Sequence, residues 1–254
     1  MSFAIEYIDS CTSTNSILAE RSDCHHGHTI ACREQTAGRG QRGNSWEAAP
    51  GENLTFSLLL LPHRLDAVRQ FELSMIVSLA IVESLDSIFA EYGSDLKAKV
   101  KWPNDIYVGD KKICGILIEN KLSGSAIERA IVGIGLNVNQ TIFVSDAPNP
   151  TSIALLTGRL TPLKPYLEQC VDKLVEQFDM YDDCPDPARL KADYMQKLIR
   201  TSGQHPFFDE HNGLFYGHIT DVDLNGMLTL SNGRKYAFKE VSFIFNDKTD
   251  GTIS

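Results

Sequence analysis

The nine residues Gln35-Thr-Ala-Gly-Arg-Gly-Gln-Arg-Gly43 hold three glycines and two arginines. Glycines let a backbone approach a ligand closely and expose its N–H groups, while guanidinium groups add planar donors suited to carboxylate or phosphate. The segment therefore reads as an anion site, with a solvated surface loop as the rival reading, because glycine-rich strings often match by chance. It fits neither the P-loop nor the dinucleotide-binding fingerprint. A second cluster, Lys101-Trp-Pro-Asn-Asp105, is followed by Lys111 and Lys112. Pro103 fixes its own φ and pushes Trp102 toward extended backbone, which presents Asn104 and Asp105 on a turn. Five lysines against two aspartates between 97 and 112 reverse the charge of the chain locally and suit phosphate. A polar hairpin whose lysine stems lie on apolar surface is the alternative.

A third cluster, Gly133-Ile-Gly-Leu-Asn137-Val-Asn139, puts two glycines in a strand, where they weaken packing unless something passes close to the backbone. Asn137 offers one acceptor and two donors, a pairing that an adenine edge accepts; a strand end leading into a turn is the plain reading. Ser13-Thr14-Asn15 precedes Ile17-Leu18-Ala19 as a capping hydroxyl precedes a helix, so chemistry there would sit at a helix N-terminus. Other residues are not promoted. His25, His26 and His28 lie in a polar connector without further ligands at metal spacing. Cys114, in Ile-Cys-Gly-Ile-Leu, reads as a small buried hydrophobe, and Ser57 and Ser78 lack the Gly-x-Ser-x-Gly elbow of serine hydrolases.

Periodicity supplies the elements that would hold these clusters. Strands are expected at Phe3–Ile8, Thr29–Arg33, Leu54–Leu61, Ala98–Trp102, Asp105–Val108, Ile113–Glu119 and Ala130–Val138. Gly109-Asp110 marks a hairpin, and the later strands should be adjacent and mostly antiparallel. Apolar residues recur at helical spacing from Gln70 to Phe89, and Ser152–Leu156, Pro165–Tyr181 and Pro187–Arg200 also read as helices. Together these give a sheet with helices on one side, ending near residue 200. Short strands then follow at Leu214–Val222, Met227–Leu230, Lys235–Phe238 and Val241–Phe245, separated twice by Asn-Gly, as in a small barrel-like appendage. The expected division is 1–200 and 201–254.

Composition narrows the function classes. The chain has 254 residues, 43% of them hydrophobic and 22% charged, which is ordinary for a folded globular protein. A net charge of −9 disfavours a surface wrapped by nucleic acid. Six cysteines without Cys-x-x-Cys spacing suggest reduced thiols and a cytoplasmic location. Neither an export signal nor an apolar run of bilayer length stands out, so no membrane segment is expected.

Taken in order, Ser13-Thr-Asn15, Gln35-Thr-Ala-Gly-Arg-Gly40 with Trp46, Lys101-Trp-Pro-Asn-Asp105 with Lys112 and Gly115, and Gly133-Ile-Gly-Leu-Asn137 resemble the biotin–protein ligases. The likeness runs from residue 1 to about 200 and continues into the C-terminal barrel. Lys-Trp-Pro-Asn-Asp is the most specific piece. The resemblance implies an α+β fold: a mixed β-sheet with flanking helices, related to the catalytic domain of class II aminoacyl-tRNA synthetases, plus a small SH3-like barrel. It also implies a short form without the N-terminal DNA-binding module of larger bacterial members, hence no repressor role.

The family activates biotin with ATP as biotinyl-5′-AMP, releasing pyrophosphate, and transfers biotin to a lysine of a biotin carboxyl carrier domain. By the resemblance, Arg39, Lys112 and Asp105 are the catalytic candidates. The biotin pocket would be formed by Ser13, Thr14, Asn15, Gln35, Gly38, Arg39, Gly40, Gln41, Lys112 and Gly115. Arg42, Trp46, Lys101, Asn104 and Asn137 would hold ATP, with Trp46 stacking on adenine as the glycine-rich loop folds over the intermediate. Mg²⁺ is implied by ATP chemistry, although no carboxylate cage is visible. The partner would be a carrier domain of a biotin-dependent carboxylase, without nucleic acid or membrane, and the chain a monomer or homodimer. Gln41 and Asn44 depart from the family, where arginine is usual or frequent, which implies looser retention of the adenylate. A lipoate ligase or octanoyl transferase on the same sheet, and a biotin-sensing module without catalysis, are the competing readings.

Overall fold

Alternation along three long strands governs the architecture, because side chains on successive strand residues point to opposite faces of a sheet. The computed structural model describes residues 3–145 and 149–245, and the Arg42 side chain lies outside the described residues. The chain runs β1 (Ile5–Cys11), α1 (Thr14–Glu20), β2 (Thr29–Gln35), β3 (Leu54–Leu60), α2 (Phe71–Glu91), β4 (Ala98–Lys101), β5 (Asp105–Val108), β6 (Lys111–Ser123) and β7 (Ala126–Leu136). Three helices follow, α3 (Ile153–Thr157), α4 (Leu163–Asp183) and α5 (Pro187–Lys197). The last part holds β8 (His205–Asp209), β9 (Gly213–Gly217), β10 (Ile219–Val222), β11 (Leu228–Leu230), β12 (Lys235–Tyr236) and β13 (Ser242–Phe243).

Seven strands form one sheet in the order β1-β2-β3-β7-β6-β5-β4. Only β1 and β2 pair parallel, and the other neighbours are antiparallel. This is the expected mixed sheet. In β3, Phe56, Leu58 and Leu60 enter the main core with residues of α2, α4 and α5. Each such side chain, fully buried, contributes about 1.5–3 kcal/mol. Leu59 instead joins Ile30, Ile131 and Leu18 of α1 in a smaller cluster. Helices therefore cover both faces, not one as the sequence suggested, and the α1 face is the one with polar and glycine positions.

Register makes that face specific. Thr55 of β3 pairs with Gly135 of β7, which pairs with Gly115 of β6; Ser57, Gly133 and Leu117 form the next row, and Leu59, Ile131 and Glu119 the third. The two hairpin signals of the C-terminal part hold, with Gly226 and Gly233 at φ +84° and +79°. At the β5–β6 turn Gly109 has φ +58°, a conformation that glycine adopts without steric penalty.

Helix α2 has 21 residues and a mean hydropathy of 1.7 over its most apolar stretch, enough in length and composition to cross a membrane, contrary to the expectation from apolar runs alone. Its apolar residues pack into the main core against the sheet and α4. No disulfide links the six cysteines.

Other differences have local causes. β6 and β7 extend beyond Glu119 and before Ala130 because cross-strand pairing carries the polar hairpin past the core. The expected helix to Arg200 stops at Lys197, after which Leu198 is extended and bridges Val100. The expected strand Leu214–Val222 breaks at His218 into β9 and β10, and β8, with a proline at its second position, lacked a strand signal. The C-terminal strands form two small sheets, β10-β11-β12 and β13-β8-β9.

Candidate active site

A cavity of about 100 Å³ opens on the α1 face of the sheet, over the rows of β3, β7 and β6 described above. Its floor is low because it is made of glycine. A Cβ added to Gly133 would lie 2.2 Å from Asn15 Oδ1, and one added to Gly135 would lie 2.3 Å from the Trp46 indole nitrogen. At Gly115 the Trp46 ring would be met at 2.9 Å. The close approach that the strand glycines announced is thus made by the protein's own side chains, Asn15 from α1 and Trp46 from the glycine-rich loop.

One end of the cavity is a closed hydrogen-bond network. The Thr14 backbone N–H donates to Gln35 Oε1 at 2.8 Å, and the Thr14 hydroxyl lies 2.7 Å from Ser57 Oγ and 3.2 Å from Gln35 Oε1. Ser57 Oγ in turn donates to Asn15 Oδ1, and Asn15 Nδ2 donates to Glu119 Oε2 at 2.7 Å. Thr14, Asn15 and Ser57 are all buried. Ser57 was set aside on sequence, yet a hydroxyl inside the apolar strand Leu54–Leu60 needs a partner, and that was the available signal. Glu119 was also missed, since a glutamate near the end of a hairpin looks like any solvated charge.

The other end is cationic. Residues 38–46 fold as a small hairpin: Trp46 N–H donates to Gly38 O at 3.0 Å, Arg39 bridges Ser45, and a short 3₁₀ turn spans Gln41–Gly43. Gly38 shapes this hairpin and does not line the cavity, for a Cβ there would lie 2.6 Å from the Trp46 carbonyl oxygen. Arg39 Nη2 reaches Glu119 Oε2 at 2.9 Å, and both side chains stay partly exposed. Gln41 Nε2 donates to Asn104 Oδ1 at 2.9 Å, fastening the loop to the turn between β4 and β5. Lys112 Nζ lies 2.8 Å from Asp105 Oδ1 and 5.6 Å from the Trp46 ring centroid. Its backbone is pinned on both sides, by Lys112 N–H to Asn149 O and by Thr151 N–H to Lys112 O.

Ser13, Thr14, Asn15, Gln35, Arg39, Gly40, Gln41, Trp46, Asn104, Asp105, Lys112 and Gly115 all line this one cavity. Arg39 and Lys112, 73 positions apart in sequence (112 − 39), share its wall. Two expected nucleotide residues do not line it. Lys101 points toward the C-terminal sheets, its ammonium 5.1 Å from the Phe243 ring centroid and 3.9 Å from Asp105 Oδ2. Burial pushes its pKa down, and Asp105 partly opposes that shift. Asn137 lies below the cavity, where Nδ2 donates to Thr151 O at 2.9 Å and Oδ1 is buried without a hydrogen-bond partner. Arg42 was also expected at the nucleotide, and its side chain lies outside the described residues.

The C-terminal sheets are part of the wall. Phe238 lines the cavity and meets Trp102 edge to face at 6.1 Å, while Trp102 Nε1 donates to Gly226 O at 3.0 Å. Trp102 therefore anchors the turn carrying Asn104 and Asp105 onto the C-terminal sheets, a role its motif did not reveal. Among the described residues no group of three His, Cys, Asp or Glu side chains is arranged to hold a metal ion.

Chemically, a buried network of neutral donors and acceptors adjoins two cations and a carboxylate under a glycine-rich hairpin. Such a cleft can hold a polar ring at one end and bring two anions together at the other.

A family model described as the biotin/lipoate A/B protein ligase family matches residues 7–137. The bifunctional ligase/repressor BirA of Bacillus subtilis is 31% identical over 234 residues, spanning 88% of this chain and 68% of that protein. A biotin–[acetyl-CoA-carboxylase] ligase of Paracoccus denitrificans is 36% identical over 109 residues, 43% of each chain. The biotin protein ligase of Aquifex aeolicus, solved with biotin and ATP, superposes with a TM-score of 0.75 over 94% of this chain and 97% of that one, at 24% identity, a likeness of fold. Sequence match, shared fold and the glycine-floored cleft agree, and the chain belongs to the biotin/lipoate A/B protein ligase family.

Proposed function

We propose that the protein is an ATP-dependent biotin–protein ligase that forms biotinyl-5′-AMP and passes biotin to a lysine of a biotin carboxyl carrier domain. The observation that carries this reading is the placement of Arg39 and Lys112 on the wall of one cavity, beside a buried polar network suited to a cyclic urea.

In the first step a biotin carboxylate oxygen bonds to the α-phosphorus of ATP, the bond from that phosphorus to the bridging oxygen breaks, and pyrophosphate leaves. Two anions must meet, and fixed cations offset their repulsion at no reorganisation cost. Arg39 and Lys112 supply that charge, while Thr14, Asn15 and Gln35 hold the ureido ring, with Ser13, Gly40, Gln41 and Gly115 around it. The buried network gives selectivity, because an analogue lacking ring nitrogens leaves polar groups unpaired. Trp46 and Asn104 border the nucleotide.

In the second step the lysine amine bonds to the activated carbonyl carbon and AMP leaves with the former carboxylate oxygen. Asp105, already beside Lys112, receives the amine proton directly or through water. Mg²⁺ enters with ATP as part of the substrate; the only carboxylate on the cavity wall among the described residues, Asp105, already pairs with two ammonium groups. The net charge of −9 supports a protein without operator-binding activity, and six free thiols support a cytoplasmic site of action.

Biotin-dependent exchange of pyrophosphate into ATP, followed by a mass shift on a carrier domain given ATP, Mg²⁺ and this protein, tests the proposal. Exchange that requires lipoate and not biotin, or carrier modification without either, would overturn it.

A further inference from the structure

One carboxylate oxygen joins the two ends of the cleft. Glu119 Oε2 accepts from Asn15 Nδ2 at 2.7 Å and from Arg39 Nη2 at 2.9 Å. These partners differ in kind. Asn15 is 3% exposed and sits in the closed network, whereas the Arg39 side chain is 45% exposed on the hairpin.

The first contact sets the polarity of the pocket. A carboxylate only accepts, so the edge of the Asn15 amide that faces Glu119 must be the NH₂, and Oδ1 must face Ser57. The single Ser57 proton is then committed to Asn15 Oδ1, as observed. The 2.7 Å contact between Ser57 and Thr14 is then left to the Thr14 proton, in place of its longer 3.2 Å approach to Gln35 Oε1, which keeps the Thr14 backbone N–H as donor. Without an acceptor at 119 the amide could turn over, Ser57 could donate elsewhere, and the pattern offered to a bound ring would no longer be unique. Leu117 O, at 3.5 Å from Asn15 Nδ2, is too distant to fix that orientation alone. The second contact holds a cation of the exposed hairpin at the place where the pocket ends.

We propose that Glu119 is a positioning and specificity-determining residue, which fixes the donor and acceptor order of the ring pocket through Asn15 and stations Arg39 at its mouth. This deepens the ligase reading and rests on it for the identity of the ring, a biotin-like cyclic urea. The two functions separate chemically, because Asn15 needs any acceptor and Arg39 responds to charge.

The test compares Glu119→Ala and Glu119→Gln with the unaltered protein in two assays. Biotin-dependent pyrophosphate exchange gives KM for biotin and kcat, and limited trypsin digestion without ligands gives the rate of cleavage within residues 38–46. In Glu119→Ala, KM for biotin should rise about 10-fold with kcat changed less than about threefold, as for a lost hydrogen bond between a charged group and a buried amide. In Glu119→Gln, whose amide oxygen can still accept from Asn15, KM should return to within about twofold. Hairpin cleavage should rise about threefold in both, the size expected of a partly exposed ion pair.

An unchanged KM in Glu119→Ala, a KM in Glu119→Gln as high as in the alanine variant, or unchanged hairpin cleavage would overturn the inference. Thermal unfolding of both variants guards against misfolding, and the glutamine variant carries the test if the alanine variant is unstable. Failure of the unaltered protein to catalyse exchange would overturn the ligase reading instead, while the trypsin assay still decides whether Glu119 holds the hairpin.

Discussion

The pocket around Thr14, Asn15 and Ser57 and the hairpin around Arg39 and Trp46 touch the same cavity but are held in opposite ways. The pocket residues are buried, come from regular elements and are linked by side-chain hydrogen bonds that span 21 to 104 positions. The hairpin is more exposed, and among the described residues its attachments include the Arg39–Glu119 ion pair, the bonds from Gln41 to Asn104 and Ile116, and the contacts of Trp46 with Lys112 and two glycines. Recognition is therefore built in advance, as is the Lys112 charge on β6, while the other reactive charge, Arg39, rides on the more lightly held hairpin. That division suits adenylate chemistry, in which a mixed anhydride must be sheltered from water and then exposed to an amine.

The largest expected effect lies on the reactive side. Removing the ammonium in Lys112→Ala, or the guanidinium in Arg39→Ala, should lower biotin-dependent pyrophosphate exchange about 10²–10³-fold, the usual size for one preorganised charge or donor. A loss below about tenfold for both would move the reaction centre away from them.

A pair of glycine substitutions separates rigid from movable more directly. In Gly133→Ala the new methyl meets Asn15, which the network holds, so stability should fall by about 1–3 kcal/mol in chemical denaturation. In Gly135→Ala the methyl meets Trp46, which can swing out with its hairpin, so the loss should stay below about 0.5 kcal/mol. Equal losses would erase the contrast. Neither glycine has a positive φ, so the backbone tolerates alanine at both.

Trp46 also provides a spectroscopic handle, since the chain has only two tryptophans. In Trp102→Phe the remaining indole reports on the slot, and adding biotin with ATP should shift its emission, because the ring now lies directly on Gly115 and Gly135. An unaltered spectrum on saturation would mean that the indole stays in the slot.

The smallest effect concerns Glu47, the residue after Trp46. Burial alone would raise its pKa, but Ser145, the backbone N–H groups of Val144 and Ser145, and Gln140 together hold it below the ordinary carboxylate value. A depressed folded-state pKa means that its contribution is present above the unfolded value near 4.5 and is lost as pH falls through the folded one. Amide exchange at Val144 and Ser145, corrected for its intrinsic pH dependence, should lose protection on acidification from about pH 6 to about pH 3. Glu47→Gln should abolish that step; its persistence would place the titrating group elsewhere.

Much of the site was legible locally. The spacing in Lys101–Asp105 and Gln35–Gly43 marked the turn and the glycine-rich loop, and Gly133 and Gly135 marked a close approach, because each signal is carried by backbone restrictions of neighbouring residues. Lys101 lies off the cavity wall, since a lysine beside a phosphate-like turn can equally well face the C-terminal sheets, where it packs over Phe243. Asn137 also lies off the wall, its amide being engaged with Thr151. Ser57, Glu119 and Phe238 carried no motif, although Ser57 stood out as a hydroxyl in an apolar strand.

By itself the sequence determined which segments alternate, where hairpins turn and which residues bear charge, because those properties depend on torsional preferences and on periodicity over a few residues. Only the tertiary structure decided that Gly115 lies opposite Gly135, that helices cover both faces of the sheet, and that one carboxylate oxygen serves Asn15 and Arg39. Strand register and cross-sheet contacts follow from burial summed over the whole core, so no local stretch of the chain encodes them.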